Sequence, residues 1–185
     1  MKRYVIFAGP NGAGKSTLYQ TNIDFFDMPR VNLDELVRSI GSWKNPADTM
    51  KAGKMAVHLL KQYLNSDQSF NQETTLCGRS IWRNIELAHK NGFYVEVYFV
   101  GVESAELAVE RINQRVSAGG HGIPEKDVVR RYKESIDSLV RAIACCDEVN
   151  IYDNTTEFIK IAKFSKGQCD IKADVIPDWC AHLFK

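Results

Sequence analysis

The residues able to do chemistry begin with Gly9-Pro10-Asn11-Gly12-Ala13-Gly14-Lys15-Ser16, which fits G-x-x-x-x-G-K-[ST], the phosphate-binding P-loop. Glycines let the backbone curl so that successive N–H groups point at one phosphate. A helix starting just after them adds its positive end. Pro10, Asn11, Gly12, Ala13, Gly14, Lys15, Ser16 and Thr17 are therefore the expected ATP-binding stretch. Lys15 can reach the β- and γ-phosphates, and the Ser16 hydroxyl can ligate Mg2+. A plain Gly-rich turn with a surface lysine would not need the whole motif.

Three further groups could complete a phosphoryl-transfer site. Asp34, at the end of the short stretch Arg30-Val31-Asn32-Leu33 that reads as a strand, is the candidate base that takes a proton from an acceptor hydroxyl. The alternative is that Asp34 caps a helix starting at Glu35. Glu73, Thr75 and Arg79 form the second group. Glu73 could bind acceptor hydroxyls or hold a Mg2+ water, Thr75 could hydrogen-bond the acceptor, and Arg79 could pair with a phosphate. A polar edge strand with a solvated arginine is the competing reading. The third group is Arg111, Arg115, Arg130 and Arg131, flanking the loop Ser117 to Gly122 (SAGGHG). A Gly-rich loop between two Arg-bearing helices suits a closing lid over about 111–131, whose arginines meet the transferred phosphoryl and exclude water. The bland alternative is a solvated basic face. His121 in that loop is of more interest than His58, His89 or His182.

The elements that must position these residues alternate. Val5 to Ala8 reads as a strand buried on both faces. Arg30 to Leu33 follows as a second strand, Gln68 to Thr75 as a polar third, Phe93 to Val100 as a fourth and Val149 to Tyr152 as a fifth. Helices are expected after the P-loop, over Glu35 to Ile40, from Pro46, over Ile81 to Lys90, from an N-capping Ser104 to Val116, and from Pro124 to about Cys145. A hairpin around Lys166-Gly167 and a short helix near Trp179 complete a C-terminal extension of about 156–185. The pattern predicts one α/β domain over 1–185, with a mainly parallel five-stranded sheet flanked by helices. Ligands then sit at the carboxyl ends of the strands, which brings Asp34, Glu73 and Thr75 to the same edge as Lys15.

Composition bounds the rest. The 185 residues are 44% apolar and 25% charged, with a net charge of +1, so nothing demands nucleic acid or an anionic membrane as partner. The five cysteines, Cys77, Cys145, Cys146, Cys169 and Cys180, show no metal spacing and read as reduced thiols. The apolar run after Met1-Lys2-Arg3 is too short for a signal peptide, and a cytoplasmic location is expected.

Taken together, GPNGAGKST, VNLDEL (Val31 to Leu36), FNQETTLCGRS (Phe70 to Ser80) and RINQRVSAGGHGIPE followed by Arg130-Arg131-Tyr132 make the chain resemble the zeta-toxin-like family of P-loop kinases. The resemblance covers roughly Tyr4 to Asn154. It implies the three-layer P-loop NTPase fold, ATP with Mg2+, and transfer of the γ-phosphoryl to a small hydroxyl-bearing acceptor. Lys15, Asp34, Arg115 and Arg131 would be catalytic, Arg111 would lie nearer the nucleotide, and Asp34, Glu73, Thr75 and Arg79 would face the acceptor. Toxin members of the family act on UDP-N-acetylglucosamine, and an antitoxin protein is a candidate partner. They carry E-G-T-G-R where this chain has Glu73-Thr74-Thr75-Leu76-Cys77-Gly78-Arg79, so fold and ATP use transfer better than acceptor or toxicity. Two other readings remain: an ABC-type ATPase, for which LCGRS is not the required signature, and a nucleotide-binding regulatory module with little turnover.

Overall fold

β1 (Arg3–Ala8) is the centre of the molecule, and its five residues from Tyr4 to Ala8 have no solvent exposure. Tyr4, Ile6 and Ala8 point into one apolar cluster, while Val5 and Phe7 point into another on the opposite face. That is the burial expected of a central parallel strand covered by helices on both sides. The computed structural model describes all residues except 22–24, 26 and 185.

The chain runs β1, α1 (Lys15–Gln20), β2 (Arg30–Val31), α2 (Leu33–Ile40), α3 (Pro46–Leu64), β3 (Phe70–Thr74), α4 (Ser80–Lys90), β4 (Tyr94–Gly101), α5 (Ala105–Ser117), α6 (Glu125–Cys145), β5 (Glu148–Asp153), β6 (Ile159–Ser165) and β7 (Gln168–Lys172). A 3-10 helix spans Asp178–Phe184. The sheet order is β2-β3-β1-β4-β5-β6-β7. The first five are parallel, as expected, and the hairpin extends the β5 edge with two antiparallel strands. Lys166 and Gly167, both at positive φ (48° and 81°), make its two-residue turn.

Several elements begin differently from their sequence expectation. β2 is only two residues long, and Asp34 lies in the first turn of α2 rather than capping a helix from Glu35. The cap is Asn32, whose side chain accepts from the Asp34 and Glu35 N–H groups. Pro124 is the residue before α6, not its first. Ser104 caps α5 as expected, accepting from the Leu107 N–H.

The C-terminal segment is tied to β5. Trp179 covers Gly101 so closely that a Cβ there would lie 2.3 Å from the indole. Its Nε1 donates to Asp153 Oδ1 at 2.7 Å. Asp153 also accepts from the Thr155 N–H and hydroxyl, at 3.1 and 2.8 Å. Among the described residues no helix is long and apolar enough to cross a membrane, and all five cysteines are free.

Candidate functional site

The P-loop leaves β1 between its two parallel neighbours, β3 and β4, where the connections part to opposite sides of the sheet. This is the point at which such sheets open a crevice for ligands. Gly12 and Gly14 adopt φ of 79° and 98°. A Cβ on Gly12 would lie 2.6 Å from the Ala108 carbonyl oxygen of α5, and one on Gly14 2.5 Å from Asn154 Nδ2. The loop is thus backed by α5 and by the turn after β5, where Asn154 Nδ2 donates to the Ala13 carbonyl at 2.8 Å. Pro10 and Ala13 are buried, while Ser16 and Thr17 are exposed.

Lys15 is 7% exposed, and its Nζ donates to the Pro10 carbonyl of its own loop at 2.8 Å. Burial pushes its pKa down, and the Glu73 and Asp34 carboxylates oppose that shift. Asn11 Oδ1 is buried without a hydrogen-bond partner. A buried cation beside a curled backbone fits a phosphate chain.

Glu73, at the carboxyl end of β3, faces the loop. Its Oε2 accepts from Ser16 Oγ at 2.8 Å, Arg30 Nη2 at 2.6 Å and Asn32 Nδ2 at 2.9 Å. Arg30 also donates to Glu35 and Asn71, and its guanidinium lies 3.6 Å over the Tyr19 ring. Asn32 therefore holds Glu73 with its amide nitrogen while its oxygen caps the helix that carries Asp34. Among the described residues no three His, Cys, Asp or Glu side chains cluster for a metal. The Ser16 hydroxyl with a carboxylate beside it suits Mg2+, which is held largely by phosphates and water.

A cleft of about 1020 Å3 opens from this point, with Asn11, Lys15, Asp34, Glu73, Thr75 and Arg131 in its wall. The α5–α6 connection crosses it. The His121 ring stacks on Trp43 at 3.8 Å between centroids and 14° between planes. Burial pushes the His121 pKa down, Arg115 adds to that, and Asp34 opposes it. Arg115 is exposed and donates through Nε and Nη2 to the His121 carbonyl, at 3.0 and 2.7 Å.

The structure therefore brings Lys15, Ser16, Asp34, Glu73, Thr75 and Arg131 together. It places Arg111 against the turn after β5, where Nη2 donates to the Thr155 carbonyl at 2.9 Å. Arg115 grips the loop backbone. Arg79 is exposed at the N-cap of α4 and is not among the residues in the cleft wall. The sequence reading missed Arg30, Asn32, Trp43 and Asn154. Only Asn32 carried a local signal, an Asn immediately before a helical stretch.

An AAA domain family matches residues 5–139. An uncharacterized protein of Haemophilus influenzae is 34% identical over 128 residues, covering 69% of this chain and 91% of that protein. A chain of the AvrRxo1-ORF1:AvrRxo1-ORF2 complex with sulphate ions superposes with a TM-score of 0.72 at 16% identity, over 100% of this chain and 62% of that one. The same complex is also known with ATP. A chain of the PezAT chromosomal toxin–antitoxin system of Streptococcus pneumoniae gives 0.64 at 17% identity, over 85% and 71%. This chain thus spans less than two thirds of the AvrRxo1 chain. With the P-loop, the strand order and these matches in place, the chain belongs to the AAA domain family and has the fold of the zeta-toxin-like P-loop kinases.

Proposed function

We propose that the protein is a kinase that transfers the γ-phosphoryl of ATP to a hydroxyl of a small molecule. The observation that carries this reading is the sharing of one cleft by Lys15, Asp34, Glu73 and Arg131. A module that merely held ATP would have no use for the Asp34 carboxylate facing the cleft beside Lys15. The match to a complex known with ATP supports the donor.

In this reading the Asp34 carboxylate takes the proton of the acceptor hydroxyl. The acceptor oxygen bonds to Pγ, the bond from Pγ to the β-bridging oxygen breaks, and ADP leaves with that electron pair. Lys15 exchanges the Pro10 carbonyl for phosphate oxygens, and Arg131 meets the charge on the moving phosphoryl. Ser16 and Glu73 would hold Mg2+, which would neutralise charge on the phosphates. Asn11 and the loop N–H groups orient the chain of phosphates, Arg111 stands on the nucleotide side, and Thr75 orients the acceptor. Segment 111–131 acts as the lid, with Arg115 fixing its loop. Positioning does most of the work in such chemistry. The PezAT match makes an antitoxin the partner class to seek, and the free thiols suit the cytoplasm.

The test is ADP release by the purified protein with Mg2+ATP, alone and with a panel of hydroxyl compounds that includes UDP-N-acetylglucosamine. One acceptor should stimulate release and gain a phosphoryl group by mass. Asp34→Asn should lower that transfer by roughly 100- to 10,000-fold and still bind ATP. Unchanged transfer in the variant removes Asp34 from its role.

A further inference from the structure

The cleft has two unlike walls. Its positive charge comes from Lys15 in the P-loop and from Arg130 and Arg131 on α6. Arg130 is already paired with Asp127 at 3.2 Å and Glu134 at 2.8 Å, and both of these acids also line the cleft. Glu73 is likewise paired with Arg30 at 2.6 Å, so among the described residues Lys15 and Arg131 are the cleft cations not already held in a salt bridge. The other wall, from α2, α3 and the connection between them, sets Leu33, Trp43, Pro46, Thr49, Met50 and Gly53 beside Asp34, with no cation among them.

That wall is also built to leave room. Gly53 lies inside α3, where glycine weakens a helix relative to alanine. A Cβ there would meet nothing within 4 Å. Met50, three residues earlier on the same side, is 64% exposed although apolar. A flexible thioether adapts to apolar shapes. A phosphate or diphosphate brought into this half would lose water without gaining a partner, which is strongly unfavourable. Lys15 and Arg131 are committed to the phosphates of ATP.

We propose that the acceptor is uncharged: a hydroxyl compound with a flat or apolar body and no phosphate of its own, lodged against α3 between Trp43 and Gly53. This rests on the kinase reading for the position of the reacting hydroxyl and narrows the acceptor beyond it. It also sets the protein apart from enzymes acting on sugar nucleotides. The α3 wall offers no cation to an anionic acceptor, and the open floor at Gly53 supplies the volume that the body of the acceptor fills.

The test is calorimetric binding to the full chain loaded with Mg2+ and a non-hydrolysable ATP analogue. The probes are uridine, adenosine and 4-nitrophenyl glucoside, each against its monophosphate, with UDP-N-acetylglucosamine alongside. At least one neutral probe should bind tenfold or more tightly than its phosphate. Gly53→Leu should weaken that binding at least tenfold, with Gly53→Ala close to wild type. Leucine favours the helix and faces open space, so an unchanged or raised thermal midpoint separates lost binding from lost fold. Tighter binding of a phosphorylated probe or of the sugar nucleotide, or no binding of any neutral probe, overturns the proposal. A neutral probe that binds but gains no phosphoryl group from ATP sinks the kinase reading instead.

Discussion

Arg30 and Ser16 meet on a single oxygen: both donate to Glu73 Oε2, from 2.6 and 2.8 Å. The guanidinium is itself fixed by its face over Tyr19 and by Glu35 and Asn71. Arg30 thus sets the place of the carboxylate, and the carboxylate sets the place of the hydroxyl proposed to hold Mg2+. With that oxygen occupied by three donors, Asp34 is the carboxylate to which the proposed mechanism gives the proton.

Removing Arg30 should accordingly read out as a metal defect. Arg30→Met is expected to weaken the Mg2+ dependence of ATP binding by about 10- to 100-fold, the usual effect of losing a partner behind a metal ligand. Arg30→Lys, which keeps the charge but not the fork, should fall between. Calorimetry with ATP at varied Mg2+ checks this. Equal losses with and without metal would show a purely structural role.

The Trp43–His121 stack should depend on pH. Burial holds the His121 pKa below its ordinary value near 6.5, so the folded state resists a proton that the unfolded chain accepts. The contact is then intact above pH 6.5 and is lost as pH falls below it towards the depressed folded value. The fluorescence difference between wild type and Trp43→Phe should change with a midpoint below 6.5. A flat difference from pH 8 to 5 would refute the coupling.

Trp179 should matter to stability well beyond its place near the chain end. Trp179→Ala is expected to cost about 3–5 kcal/mol, the range for a large buried aromatic. Trp179→Phe removes chiefly the hydrogen bond to Asp153 and should cost about 1–3 kcal/mol. Urea unfolding measures both. Asp153 also anchors Thr155, whose carbonyl holds Arg111, so ATP affinity should weaken in the same order.

The β6–β7 turn offers a gain. Lys166 sits at φ 48°, where Asn is favoured before Gly in a two-residue hairpin. Lys166→Asn should raise stability by up to about 1 kcal/mol, relieving the left-handed cost paid by a long side chain. Thermal unfolding at fixed pH decides it.

The P-loop was readable from sequence because its chemistry is contiguous: one curl of backbone, from Gly9 to Ser16, does the work. Asp34, Glu73 and Thr75 were readable one step further, since parallel strands send their carboxyl ends to one edge. Arg30 was not, because its role exists only through the pairing that sets it opposite Asn71 on β3. The Trp43–His121 contact joins two connections distant in sequence, and neither residue signals the other. Arg79, expected beside Thr75 at the acceptor, is not among the residues in the cleft wall. Leu76 and Gly78, at φ of 62° and 82°, turn the chain in between.

The order β2-β3-β1 has a consequence for how this protein could change its work. Everything assigned to the acceptor except the lid and Arg131 lies in one unbroken run, from Arg30 through α2 and α3 to Thr75. The phosphate grip lies in the P-loop and in Asn154 behind it, and it meets that run only at Arg30, Asn32 and Glu73. The two trades are therefore separable in the gene as well as in space. A relative's α2 and α3, residues 33–64, could be grafted here with Arg30, Asn32 and Glu73 left in place. The hybrid would inherit a new client while its grip on the phosphate donor stayed as it was.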